Sequence, residues 1–185
     1  MLDAAFYRRP VLEVARDLLG RTLCRRLDDG TVLRGRLVEV EAYAGEADRA
    51  SHARFGPTRR NRLMWEPGGL AYVYLVYGMH HCLNIVTDRA GSPSAVLLRA
   101  AEPPRDTSAS GPGRLTRAFG VDLAQDGLSF AQGETLWLEP GEPVSDRQVK
   151  RTRRIGVEYA AAWANRRLRF AVRGHPAVSG PKALR

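Results

Sequence analysis

Residues 22–43, TLCRRLDDGTVLRGRLVEVEAY, decide the fold because they contain two strands and the turn between them. Residues 22–27 and 31–43 have the composition of β-strands. The Asp28-Asp29-Gly30 sequence between them is typical of a tight hairpin turn, in which glycine adopts a positive φ. The segment therefore predicts an antiparallel hairpin.

The second strand of this hairpin is predicted to have two different faces. Side chains alternate along a strand, so Val38, Val40 and Ala42 share one face. The opposite face is predicted to carry four side chains: Leu37, Glu39, Glu41 and Tyr43. Next-but-one residues of a strand lie about 7 Å apart, so Glu41 and Tyr43 are expected to be neighbours.

The rest of the chain predicts more strands and a few short helices. Helices are predicted at 10–20 and 111–119, and strands at 70–76, 81–87, 94–101 and 134–139. Residues 151–155, 158–165 and 168–172 predict a strand, a helix and a strand. No repeat or linker divides the chain. We predict a single domain, residues 1–185, of the α/β class and α+β type, with a mainly antiparallel sheet.

The charge of the chain indicates a polyanionic partner. Lys and Arg number 29 against 20 Asp and Glu, a net charge of +9. Such a balance favours nucleic acid or an anionic membrane surface. The membrane is disfavoured because no strongly basic amphipathic helix stands out. Lys150 and Lys182 are the only lysines. A GC-rich genome could explain the excess of arginine, although not the net charge.

The cysteines and the chain termini predict an intracellular protein. Cys24 and Cys82 are far apart, without the spacing of a disulfide framework or a zinc site, so no metal is expected. The first nine residues lack the apolar core of a signal peptide. The most apolar run, residues 70–79, is too short to cross a bilayer.

A carboxylate and several rings occur close together in the chain. Glu41 could activate a water molecule if it lies beside a closed pocket. Tyr43, His52, Tyr72 and Tyr74 could stack on a flat base that has been taken out of a duplex. The alternatives are ordinary: two solvated glutamates on a strand surface, tyrosines that pack a sheet against a helix, and a structural histidine.

Two further features favour a functional interpretation without excluding a structural one. Tyr77 and Met79 lie at a predicted hairpin tip, where large apolar side chains are unusual, and could insert between DNA bases. A tyrosine folded back onto its hairpin is the alternative. Arg99 interrupts an apolar strand, so it must be paired or point into a site, with Glu41 or a phosphate as its expected partner.

Taken in order, these residues resemble the alkyladenine (3-methyladenine) DNA glycosylase family. The resemblance covers nearly the whole chain and is carried by residues 39–43, 52, 57–61, 72–79, 84, 96–100, 111–115, 154–157 and 178–179. It implies a curved sheet with a protruding hairpin, similar to the C-terminal domain of formyltransferases. It also implies an enzyme of base excision repair without a cofactor or metal. The implied protein is monomeric, cytoplasmic and of bacterial type. Its partner would be double-stranded DNA that contains damaged purines, and binding to DNA would associate it with the nucleoid.

The resemblance also implies a role for each matching residue. Glu41 would be the general base, and Arg99 would help to hold the attacking water. Tyr43 would stack on one face of the flipped base, with His52 and Tyr74 on the other. Asn84 would disfavour normal guanine by crowding its amino group. The side chains that enter the DNA would be those of the hairpin tip: Tyr77 and Met79.

The reaction type follows from the scarcity of lysine. Glycosylases that also cut the backbone form a Schiff base through an amine, usually that of a lysine. Lys150 and Lys182 are remote in sequence from Glu41, so we predict a monofunctional enzyme that leaves an abasic site.

Two other functions remain open from the sequence. A non-catalytic, basic nucleic-acid-binding module would explain the charge and the rings. A hydrolase of free nucleosides would explain the pocket but would not need Tyr77. Lesion preference also stays open, because no acid for protonating a neutral leaving base can be identified.

Overall fold

The computed structural model describes residues 1–180. The central element is the predicted hairpin, in which β1 (Thr22–Arg26) pairs antiparallel with β2 (Val32–Ala44). Gly30 has the positive φ of 82° that the turn requires. The prediction of a hairpin is confirmed.

The strands form one curled, eight-stranded sheet in which every pairing is antiparallel. Besides β1 and β2, the strands are β3 (Ala71–Val76), β4 (His80–Thr87), β5 (Ser94–Ala101), β6 (Leu136–Glu139), β7 (Val149–Thr152) and β8 (Arg169–Val172). Their order is β3-β4-β5-β2-β1-β6, and β8 joins β2 to β7. The predicted class, an α+β domain with a mainly antiparallel sheet, is confirmed.

The long strand β2 positions the site because it pairs with three neighbours. Its first part pairs with β1, and its second part pairs with β5 and, around Val40, also with β8. The second part is therefore covered by strands on both sides. Glu39 and Glu41 lie in this doubly paired part of β2, and both are completely buried.

The predicted faces of β2 are correct except at Leu37. The register between β2 and β5 shifts on both sides of Glu39, as in a β-bulge. Leu37 consequently packs in the same hydrophobic core as Val38 and Val40. Its predicted place beside the two glutamates is wrong because the bulge interrupts the period of two.

Within residues 1–180, three α-helices pack around the sheet: α1 (Ala4–Tyr7), α2 (Val11–Leu18) and α3 (Pro112–Phe119). The predicted helices at 10–20 and 111–119 are confirmed, whereas α1 was not predicted. The predicted helix at 158–165 is a pair of 3₁₀ turns that breaks at Ala161, where φ is 51°. No helix of residues 1–180 has the length and apolar character needed to span a membrane.

Candidate active site

Most of the predicted site residues line one cavity of about 520 Å³. We call it the ring pocket and define it by Tyr43, His52, Tyr72, Tyr74, Asn84 and Arg99. Strands β2 to β5 supply all of these side chains except His52, which begins a 3₁₀ segment, His52–Phe55. Tyr77 lies at the rim. Among the described residues, Glu41 is not part of this lining, and Met79 lines a neighbouring groove instead.

Glu41 lies directly behind the wall of the ring pocket. Its Oε2 accepts a hydrogen bond of 2.9 Å from the Tyr43 hydroxyl, and its Oε1 accepts one of 2.9 Å from the Ile155 backbone N–H. Arg99 Nη1 is 3.4 Å from Oε2. All three groups belong to residues that line the pocket. The carboxylate is thus one layer of atoms away from the space a ligand would occupy.

Glu39 is the second carboxylate of a buried charge cluster that also contains Glu41, Arg99 and Arg169. Its Oε1 accepts hydrogen bonds of 2.8 Å from Arg99 Nε and 2.7 Å from Arg169 Nε. The backbone N–H of Ser179 donates to Oε2 at 2.5 Å. Two carboxylates therefore face two guanidinium groups, and the cluster is close to neutral. The alternative of two solvated surface glutamates is wrong, since both are fully buried.

Arg99 occupies the position between the two carboxylates. The prediction that it must be paired is confirmed, but its shorter contact is with Glu39 rather than with Glu41. Arg169 and Ser179 were not predicted as part of this cluster. Arg169 begins β8 rather than interrupting it, but in the predicted strand 168–172 it is a charged residue among apolar ones, and this weaker signal could have found it.

The Tyr43 ring is held by a buried ion pair. Arg154 lies over the ring, 4.6 Å from its centroid, and its Nη2 donates to Asp48 Oδ1 at 2.8 Å. Both side chains of this pair are fully buried. Burial and the adjacent charge of Glu41 raise the pKa of Tyr43 well above its ordinary value. Tyr43 therefore stays protonated and donates to Glu41.

His52 and Tyr74 form the ring contact on another side of the pocket, with centroids 4.6 Å apart. His52 Nδ1 is 2.8 Å from the Tyr72 hydroxyl. Burial, together with the charges of Arg60 and Arg54, lowers the pKa of His52 to about 4. The imidazole is therefore neutral at pH 7, and when Tyr72 donates to Nδ1 the ring proton is carried by Nε2.

Asn84 is fixed at the floor of the pocket by the neighbouring strand. Its Nδ2 donates to the backbone carbonyl of Tyr72 at 3.0 Å, and the side chain is buried. Cys82 precedes it by two residues and lines the same pocket. Both cysteines of the chain are free thiols, as expected from their spacing.

Tyr77 projects from the tip of the β3–β4 hairpin and is 90% exposed. The turn places Tyr77 and Gly78 at positive φ values of 51° and 69°. Met79, next along the tip, is 71% exposed. The alternative of a tyrosine folded back onto its hairpin is wrong, because the ring is free of the hairpin surface.

Lys150 is closer to the charge cluster than its sequence position indicates. It pairs with Ala171 of β8, and Ala171 pairs with Glu39 of β2. One strand, β8, therefore separates Lys150 from Glu39, although Lys150 is not one of the described residues that line the ring pocket. Lys182 lies outside the described residues.

A pocket lined by rings and a buried guanidinium, with a buried carboxylate behind its wall, belongs to the class of sites that bind a flat aromatic group next to paired charges. Within residues 1–180, no group of three His, Cys, Asp or Glu side chains could hold a metal ion.

Comparison with known proteins gives the family. The sequence profile described as "Methylpurine-DNA glycosylase" matches residues 5–176. A protein of Anaeromyxobacter sp. (strain Fw109-5) is 50% identical over 180 residues, which cover 96% of this chain and 92% of the relative. One of Myxococcus xanthus is 48% identical, covering 97% of this chain and 94% of the relative. One of Legionella pneumophila (strain Corby) is 41% identical, covering 96% and 97%.

All three relatives carry the name "Putative 3-methyladenine DNA glycosylase". The chain belongs to the methylpurine-DNA glycosylase family. Its enzyme class is accordingly that of a DNA glycosylase, a hydrolase of N-glycosyl bonds that acts in DNA repair.

Proposed function

We propose that the protein is a monofunctional DNA glycosylase that acts as a monomer on duplex DNA containing alkylated or deaminated purines, 3-methyladenine among them. It flips the damaged nucleotide into the ring pocket and hydrolyses the N-glycosidic bond, which leaves an abasic site. One observation carries the proposal: Glu41 is buried behind the ring pocket and is held there by Tyr43, Ile155 and Arg99.

Glu41 is proposed to act as the general base. A water molecule next to Glu41 and Arg99 attacks C1′ of the deoxyribose, and its proton passes to the Glu41 carboxylate. The electron pair of the C1′–N bond leaves with the base. The contact of 3.4 Å between Arg99 Nη1 and Glu41 Oε2 is longer than an ordinary charged hydrogen bond, so Arg99 Nη1 is proposed to remain available to the water. The carboxylate also stabilises positive charge that develops on the sugar.

The rings are proposed to hold the flipped base from two sides. Tyr43 stacks on one face, and His52 and Tyr74 close the other. Stacking on an aromatic side chain contributes about 1–3 kcal/mol per base. Asn84 lies beneath the base and crowds the exocyclic amino group of normal guanine. Its bond to the Tyr72 carbonyl supports this role, because it fixes the side chain against the floor.

Release of free base from methylated duplex DNA tests the proposal directly. The wild-type protein is expected to release methylpurines, and separation of the products by chromatography measures them. A protein that binds this DNA and releases no base would be the non-catalytic binding module. A protein that cleaves free methylated nucleosides as fast as duplex DNA would be the nucleoside hydrolase.

Replacing Tyr77 by Ala is expected to lower the rate of base release from duplex DNA about tenfold or more. Unstacking a base step costs a few kcal/mol, and the exposed ring is proposed to offset that cost by filling the gap. Single-turnover kinetics on duplex and on single-stranded methylated DNA measure the effect. The single strand has no gap to fill and is the internal control. An equal loss on both substrates would contradict the role of a wedge.

Borohydride is expected not to trap a covalent adduct between the protein and lesion DNA. A monofunctional enzyme uses water as its nucleophile, whereas a lyase forms a Schiff base that borohydride reduces. Lys150 is two strands from Glu39, so Lys150→Ala provides the matched variant. A trapped adduct that disappears in Lys150→Ala would make Lys150 a nucleophile and overturn the monofunctional assignment.

A further inference from the structure

Two exposed aromatic rings lie at the edge of the ring pocket, beyond the six residues that define it. Phe55 is 75% exposed and Tyr159 is 62% exposed. They line a second cavity of about 590 Å³ together with Glu46, Ala47, Arg49 and Arg54. We call this cluster the Phe55 patch. The proposed chemistry at Glu41 uses none of these six residues.

Arg54 connects the two rings. Its guanidinium carbon is 4.2 Å from the Phe55 ring centroid and 5.2 Å from that of Tyr159. Its Nη1 donates to the backbone carbonyl of Ser51 at 3.1 Å, which fixes the guanidinium in place. The Tyr159 hydroxyl donates to the carbonyl of Ala50 at 3.3 Å. The rings and the charge are thus held by one segment, and the outer faces of the rings remain open to solvent.

The Phe55 patch is continuous with the ring pocket. Tyr159 lines both cavities, and Arg54 contributes to the lowered pKa of His52, a ring of the pocket. The nucleotides next to a flipped one stay outside the ring pocket. Because Tyr159 lies where this pocket meets the Phe55 patch, the patch is within reach of such a nucleotide.

The chemistry of the patch fits a nucleobase. Open aromatic faces stack on bases of any sequence, and a guanidinium stacks on bases and also attracts phosphate. Arg49 adds a second positive charge. Glu46 is the acidic residue of this lining, and its carboxylate can accept a hydrogen bond from an exocyclic amino group. Bases within a duplex have both faces covered, so only an unstacked base can use the patch.

We propose that the Phe55 patch is a second nucleobase-binding site, which takes an unstacked base of single-stranded DNA beside the lesion pocket. The proposal rests on the assigned action on DNA and extends it from duplex to single-stranded substrates. The patch holds the strand, and the ring pocket performs the reaction.

The test measures the affinity of a short, fluorescein-labelled single strand without a lesion by fluorescence anisotropy. Phe55→Ala is expected to weaken binding about 5- to 150-fold, the effect of one lost stacking contact. Phe55→Trp is expected to retain the affinity. Leu123→Ala removes an exposed apolar side chain elsewhere and is the matched control, expected to bind like wild type.

A second probe separates stacking from phosphate contact. A strand of the same length made of abasic sites should bind wild type and Phe55→Ala equally well. Unchanged binding of the base-containing strand by Phe55→Ala would overturn the proposal, and so would an equal loss for both strands. Base release from methylated duplex DNA is measured separately and should stay at the wild-type rate in Phe55→Ala. Absence of release in the wild type would count against the glycosylase assignment and leave the binding result intact.

Discussion

Replacing Glu41 by Gln is expected to lower the rate of base release about 10²- to 10⁴-fold, the usual contribution of a general base. An amide cannot take the proton of the attacking water, although it has nearly the same shape as the carboxylate. Its oxygen can still accept the hydrogen bond that Ile155 donates to Glu41. The variant loses one buried charge beside Arg99 and should be less stable than wild type, but the retained hydrogen bond should let it fold and bind lesion DNA.

Single-turnover kinetics on methylated duplex DNA measure the rate, and anisotropy with the same DNA measures the affinity. Glu134→Gln, which changes an exposed glutamate, is the matched control and should behave like wild type. A Glu41→Gln protein that binds lesion DNA and releases base at the wild-type rate would exclude Glu41 as the base. Loss of binding together with activity would indicate a structural role instead.

Replacing Glu39 by Gln is expected to lower the free energy of unfolding by about 3–5 kcal/mol, because one partner of a buried ion pair is removed. Arg99 and Arg169 both donate to Glu39 Oε1, and without its charge two guanidinium groups are left facing one carboxylate, Glu41. At about 2–4 °C per kcal/mol for a chain of this size, the melting temperature should fall clearly.

Urea denaturation followed by circular dichroism measures the loss for Glu39→Gln, again with Glu134→Gln as the control. A variant that unfolds at the wild-type urea concentration would show that Glu39 is not needed to compensate the two arginines. The two neighbouring glutamates of β2 are thus expected to differ in kind: Glu39 supports the fold, and Glu41 supports the reaction.

Local patterns were sufficient for the parts of the site that lie on a single strand or hairpin. Period two placed Glu41 and Tyr43 on one face, and their side chains do form a hydrogen bond of 2.9 Å. Bulky residues in a tight turn marked Tyr77 as an exposed tip. The hairpin at residues 28–30 followed from its turn residues alone. Such contacts depend on neighbours in sequence, which the chain displays directly.

Contacts between distant segments could not be predicted in the same way. Ser179 and Glu39 are 140 residues apart, and Arg154 and Asp48 are 106 apart. Their meeting depends on how β8 and β7 add to β2, which no local pattern determines. The bulge at Glu39 moved Leu37 into the core for a similar reason, since the register with β5 is a property of the pair of strands. Lys150 lies near the charge cluster of Glu39 for the same reason, because β7 and β2 both pair with β8.

The segment at Arg154 and Ile155 has a consequence for how this enzyme can change. The guanidinium of Arg154 stacks on the Tyr43 ring, and the next backbone N–H, that of Ile155, donates a hydrogen bond to Glu41. One dipeptide therefore sets the position of the ring proposed to stack on the base and of the carboxylate proposed to activate the water. A substitution that shifts this segment to admit a new lesion also shifts the carboxylate. If these residues have the proposed roles, selectivity and turnover are mechanically coupled, and we expect an altered substrate range to come from the far side of the pocket, at His52, Tyr74 or Asn84.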